Sequence, residues 1–116
     1  MTDASPAELA RLVRAVAVLA MPTDGQIAWL GSLGLGEPGF VDELALELDN
    51  GALLVGQFVR AGWVTPEFRE GIVALDLFLS SKSALDTSDF WSVDSLRDDE
   101  DWELVRSMAA AVLQTL

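Results

Sequence analysis

The segment Glu43-Leu44-Ala45-Leu46-Glu47-Leu48-Asp49-Asn50-Gly51 admits two folds. Its polar and apolar residues alternate with period two, and Asp49-Asn50-Gly51 suits a tight turn, so a hairpin over about residues 43–59 is one reading. The residue types argue the other way. Leu, Ala and Glu are helix formers, and β-branched residues are scarce before the turn. Phe40, Leu44, Leu48, Val55 and Val59 also recur on one helical face. Helix is therefore favoured from Phe40 to Gly62, weakened in its middle by Gly51, kinked near Asn50 and ended by Gly62. The fold class expected is all-α, with an α+β domain carrying one hairpin as the alternative.

The flanking sequence repeats the helical pattern, and all four prolines fall where helices should begin. Ser5-Pro6-Ala7-Glu8 reads as a cap, an N-terminal proline and a capping-box Glu ahead of Leu9, Leu12, Val13, Val16 and Leu19, which predicts a helix over Pro6 to Ala20. After Pro22, Thr23 or Asp24 can cap a shorter helix through Ile27, Leu30 and Leu33, stopped by Gly34 and Gly36. Thr65-Pro66-Glu67 opens another with Phe68, Ile72, Leu75 and Leu79 inward. Val73, Leu77 and Phe78 widen its apolar arc to that of a central helix. Ser80 to Asp89 reads as a polar connection. Ser92 then caps a short helix through Leu96, and Asp98 caps a last one with Trp102, Val105, Ala109, Val112 and Leu116 as its buried stripe. Five or six helices with short connections make a single compact bundle over residues 1–116.

Composition limits the chemistry. The chain has 116 residues, 51% of them hydrophobic and 22% charged, which is enough apolar surface for a core. It contains no Cys, His or Tyr. Disulfides, zinc sites and Cys- or His-based nucleophile pairs are thereby removed, so neither an enzyme nor a cofactor or metal is expected. Asp3 and Glu8 stand where a signal peptide would be basic, and the longest uncharged run, Gly25 to Gly36, is short and broken by glycine. With the absence of Cys, this predicts a cytoplasmic protein. The net charge of −12 repels phosphate backbones and anionic head groups, so no nucleic acid and no membrane is expected as a partner, whereas a basic protein is attracted.

The charge is segregated. Residues 37–49 carry five acids and no base, and residues 86–116 carry eight acids against Arg97 and Arg106, while the other segments nearly balance. Candidate partner-binding acids are Asp42, Glu43, Glu47 and Asp49 in the first segment and Asp94, Asp98, Asp99, Glu100, Asp101 and Glu103 in the second. Trp63 and Trp91, in connections between helices, are the candidate aromatic anchors. Acids at a helix N-terminus also offset the helix dipole, so the run at Asp98 needs no ion to explain it, and it lacks the order of a calcium loop. Asp76 lies within Ile72 to Leu79 and is expected to pair with Arg69, Arg14 or Arg60. Lys82 reads as a favourable cation at a helix C-terminus, and Trp102 and Arg106, four apart, as a cation–π pair.

Two resemblances add to this reading. Asp94-Ser95-Leu96 resembles the phosphopantetheine attachment signature of acyl carrier proteins, which are also small, acidic and helical. Here Ser92 replaces the usual Gly two positions before the Asp, and Leu96 to Leu116 leaves too little chain for the two helices that should follow. Trp91, Leu96 and the Trp-x-x-Val-Arg of Trp102, Val105 and Arg106 make the last third similar to small acidic helical bacterial immunity proteins and antitoxins. That resemblance implies a non-enzymatic protein that occludes the active site of a basic toxin. Six Arg against one Lys suits a GC-rich bacterial genome. A homodimeric scaffolding or chaperone-like protein, joined through surplus apolar surface, is the alternative.

Overall fold

The computed structural model describes residues 5–32, 41–84 and 88–116. Among these it contains seven α-helices and no strand. They are α1 (Pro6–Ala20), α2 (Thr23–Ser32), α3 (Glu43–Ala52), α4 (Val55–Arg60), α5 (Pro66–Ala84), α6 (Val93–Asp98) and α7 (Glu100–Leu113), with a 3-10 turn at Ser88–Trp91 before α6. The all-α bundle is thus the fold. The helices exceed the five or six expected because residues 43–60 form two, separated at Leu53 and Leu54 rather than kinked at Asn50. Phe40, Leu33, Gly34 and Gly36 lie outside the described residues, as does part of the Ser80 to Asp89 connection.

Helix boundaries follow local chemistry. Ser5 Oγ accepts from the Glu8 amide at 3.3 Å, Thr65 Oγ1 from Phe68 at 3.0 Å, and Ser92 Oγ from Ser95 at 3.0 Å. The last helix is capped one residue later than expected: Asp99, in extended backbone, accepts from the Asp101 amide at 2.8 Å. Gly62 ends α4 with φ +79°, and the Trp63 amide bonds back to the Phe58 carbonyl at 3.0 Å. Helix α5 runs on to Ala84, past the serines read as a connection.

Four long helices make the bundle. α1 packs on α3 and α7, and α5 packs on the same two, so α3 and α7 stand on one diagonal and α1 and α5 on the other. Neighbours are antiparallel. Lys82, late in α5, reaches Asp101 at the start of α7, while Gly71 meets Val112 near its end. Arg14 of α1 meets Glu47 and Leu12 meets Gly51, so α3 descends beside α1. Buried side chains of all four fill the centre: Leu12, Val16 and Leu19; Leu44 and Leu48; Phe68, Ile72, Leu75 and Leu79; Trp102, Val105 and Ala109. Val55 and Phe58 of α4 and Leu96 of α6 close the edges.

Three packing expectations are corrected. Val73 and Leu77 are solvent-exposed, so α5 has one buried stripe and an apolar outer side rather than a fully enclosed arc. Leu116 is exposed because α7 ends at Leu113. Arg106 makes no cation–π contact with Trp102. Its Nε donates to Gln26 Oε1 at 3.1 Å and its guanidinium to the Leu96 carbonyl. Gln26 is itself fully buried and donates to the Val18 and Leu19 carbonyls at 3.2 and 3.1 Å, satisfying the C-terminus of α1. A polar node thus ties α1, α2, α6 and α7 together.

Candidate functional site

The helix directions place both acidic segments at one end of the bundle. Leu46 and Asp49 of α3 lie beside Leu79 and Asp76 of α5, so α3 starts where α5 finishes. α7 starts there too, since Lys82 meets Asp101. Asp42 and Glu43 before and at the first turn of α3 therefore share an end with Asp99 to Glu103 at the start of α7. Asp94 and Asp98 join them on α6, which packs on α7. The N-termini of two long helices face that end, so the dipoles favour the carboxylates gathered there.

Few of these acids are neutralised internally. Among the described residues the ion pairs are Arg14 with Glu47 at 2.7 Å, on the surface between α1 and α3, and Lys82 with Asp101. Lys82 Nζ also stands 5.3 Å from the ring centres of both Phe78 and Phe90. Asp99 is engaged as the cap of α7 and accepts from Ser95 Oγ at 3.2 Å. Asp42, Glu43, Asp94, Asp98, Glu100 and Glu103 make neither an ion pair nor a side-chain hydrogen bond among the described residues. Asp94, Asp98 and Asp99 line a shallow depression with Ser92 and Ser95, the serine of the carrier-like triplet.

The aromatic candidates separate. Trp91 is half-buried at the acidic end, edge-on to Phe90 at 5.0 Å and to Trp102 at 5.8 Å. Trp102 is fully buried, stacks on Phe90 at 4.5 Å and donates Nε1 to the Phe90 carbonyl at 2.7 Å, which anchors the 3-10 turn. Trp63 is 42% exposed and stacked on Phe58 at the far end, where Thr65 Oγ1 donates to the Thr115 carbonyl and joins the start of α5 to the end of the chain. Trp63 and Trp91 therefore do not serve one surface.

Asp76 is the most perturbed carboxyl among the described residues, and Asp49 lies beside it. Asp76 meets no arginine; it faces Asp49 across the α3–α5 groove, with Leu46, Leu79 and Ser80 around them. Burial first, then the charge of Asp49 and a hydrogen bond shared with it, push Asp76 from 3.8 up to about 6. Arg14 is taken by Glu47, and the Arg69 guanidinium lies along Gly56 of α4. Burial also lowers the Arg106 guanidinium from its ordinary value, with Glu103 acting in the opposite sense.

Sequence reasoning missed the Gln26–Arg106 node and the Asp49–Asp76 contact, both of which join residues far apart in the chain. It also missed the outward apolar residues Leu46, Leu53, Val73 and Leu77, although Leu46 stands off the Leu44–Leu48 stripe and signals an outer side. No group of three or more potential metal ligands occurs among the described residues, and no described helix is long and apolar enough to cross a membrane. Neither a family model, nor a curated protein, nor a solved structure matches the chain.

Proposed function

We propose that the chain is a non-enzymatic binding module for a basic protein, with an immunity protein or antitoxin that occludes a basic toxin as its concrete form. One observation carries this reading: carboxylates from α3, α6 and α7 gather at a single end of the bundle and outnumber the cations there, Lys82, Arg97 and Arg106, with only Asp101 in an ion pair among the described residues at that end. The helix dipoles and the Asp99 cap account for part of this cluster, but exposed like charges held together also repel one another. They do create a local field that steers a cationic surface into contact, and Trp91 beside them supplies apolar area to a complex formed there.

The test is association with the product of the adjacent gene, measured by light scattering and stopped-flow kinetics. A stoichiometric complex whose association rate falls steeply with added salt supports the reading. A salt-insensitive rate removes the role of the acids. A tight homodimer that ignores the neighbour supports scaffolding instead.

A further inference from the structure

The first half of α1 and the second half of α3 border a cleft of about 450 Å³, within the range of small-molecule sites. Leu12, Gly51 and Leu54 give it apolar surface, and Leu12 belongs to the buried core. Glu8 and Glu47 bring two carboxylates to the same cleft, Arg11 a guanidinium and Asn50 an amide. These opposite charges do not close on one another. Arg11 and Asn50 make neither an ion pair nor a side-chain hydrogen bond among the described residues, and Glu8 accepts only from the Ser5 hydroxyl, at 3.4 Å. Glu47 is half satisfied: Arg14 holds its Oε1 at 2.7 Å, whereas Oε2 is shielded from solvent and meets no donor. An acceptor left in that state calls for an explanation. The terminal torsion of a Glu side chain is broad, so a small turn presents Oε2 to the cleft.

We propose that this cleft binds a free α-amino acid with an aliphatic side chain, its ammonium at Glu47 and Glu8, its carboxylate at Arg11 and Asn50, and its side chain against Leu12 and Leu54. The proposal goes beyond the binding role above and does not depend on it. Because α1 and α3 run antiparallel, the start of α1 lies beside the end of α3, away from the end of the bundle where the acids of α6 and α7 gather. The charges of the cleft select the ligand. An anion alone would face two carboxylates, and a cation alone would be repelled by Arg11. A zwitterion meets both signs at once and supplies the donor that Glu47 Oε2 lacks. The leucines favour an aliphatic side chain over a polar one, since apolar area buried there is removed from water.

The experiment titrates the full chain, labelled with nitrogen-15, with L-leucine, with 4-methylpentanoate, which lacks the ammonium, and with 3-methylbutylamine, which lacks the carboxylate. L-leucine is expected to shift the amides of Leu12, Glu47 and Gly51 in a saturable way, and each singly charged analogue to bind at least about tenfold more weakly. Arg11→Gln, at an exposed position, should weaken L-leucine about tenfold, whereas Arg97→Gln, exposed on α6, should change it less than about twofold. Shifts that are absent or do not saturate overturn the proposal. Equal binding of 3-methylbutylamine and L-leucine also overturns it, in favour of a diffuse attraction of cations, as does an Arg11→Gln variant that binds like the parent. None of these results bears on the basic-protein reading, which stands or falls on salt-dependent association with its partner.

Discussion

Gly51 of α3 lies flush against Leu12 of α1: a Cβ at Gly51 would stand 2.6 Å from Leu12 Cδ1 and 2.9 Å from its Cβ. The second distance matters more, because a Cβ is held by its backbone and cannot swing aside as a side-chain tip can. Glycine weakens a helix by about 1 kcal/mol relative to alanine, and here it brings two bundle helices close enough to bury that position. Gly51→Ala is therefore expected to lower stability by about 1–3 kcal/mol through overpacking, despite the gain in propensity. Gly31, near the end of α2, has open space around it, and Gly31→Ala should raise stability by up to about 1 kcal/mol. Urea denaturation of both variants checks the pair, and a stabilised Gly51→Ala would refute the close contact.

Asp76 links stability to pH. Its pKa rises from 3.8 unfolded to about 6 folded, so the native state holds the proton more tightly. The contribution of this group is full below about pH 4 and is lost as pH rises through 6. Asp76→Asn should consequently be more stable than the parent at pH 8, with the difference vanishing toward pH 4. Solvent screening at this partly exposed groove holds the gain to about 1 kcal/mol or less. Urea midpoints across that range test it, and a variant weaker at pH 8 would show that the charged Asp76 is favourably bound.

Gln26 and Arg106 should behave as one unit. Gln26→Leu keeps the volume but strips the Leu19 carbonyl of a side-chain donor and Arg106 Nε of its acceptor, while the Val18 carbonyl retains the Met21 amide. Unsatisfied buried groups cost about 1–3 kcal/mol each, so a loss of about 2–4 kcal/mol is expected. Arg106→Met alone should give a similar loss, and the double variant much less than the sum of the two. Additive losses in such a double-mutant cycle would mean that the two residues act separately.

Inward and outward leucines of α5 should separate cleanly. Leu75, fully buried, is expected to cost about 2–5 kcal/mol on replacement by alanine. Leu77→Gln, two residues on, should change stability by no more than about 0.5 kcal/mol, because that side chain is exposed and its replacement is also a good helix former. Thermal unfolding distinguishes them, and a large loss at Leu77 would mean that the outer face packs on the protein itself.

Much of this architecture is legible without coordinates. Pro6, Thr65 with Pro66, and Ser92 mark helix starts because they act on backbone groups one turn away, and Phe68, Ile72, Leu75 and Leu79 announce their buried face by spacing alone. The segregation of carboxylates, the absence of Cys, His and Tyr, and the preference for helix at residues 43–51 belong to the same class: each depends on residue type and on neighbours within a few positions. Tertiary structure decided the rest. Only the antiparallel packing of α3, α5 and α7 brings residues 42–43 and 99–103 to one end and sends Trp63 to the other. Only the approach of α3 to α5 sets Asp76 against Asp49 instead of an arginine, and only the fold of α2 over α1 turns Arg106 away from Trp102 toward Gln26. Those outcomes depend on which helix faces which, a relation between residues tens of positions apart that local periodicity does not encode.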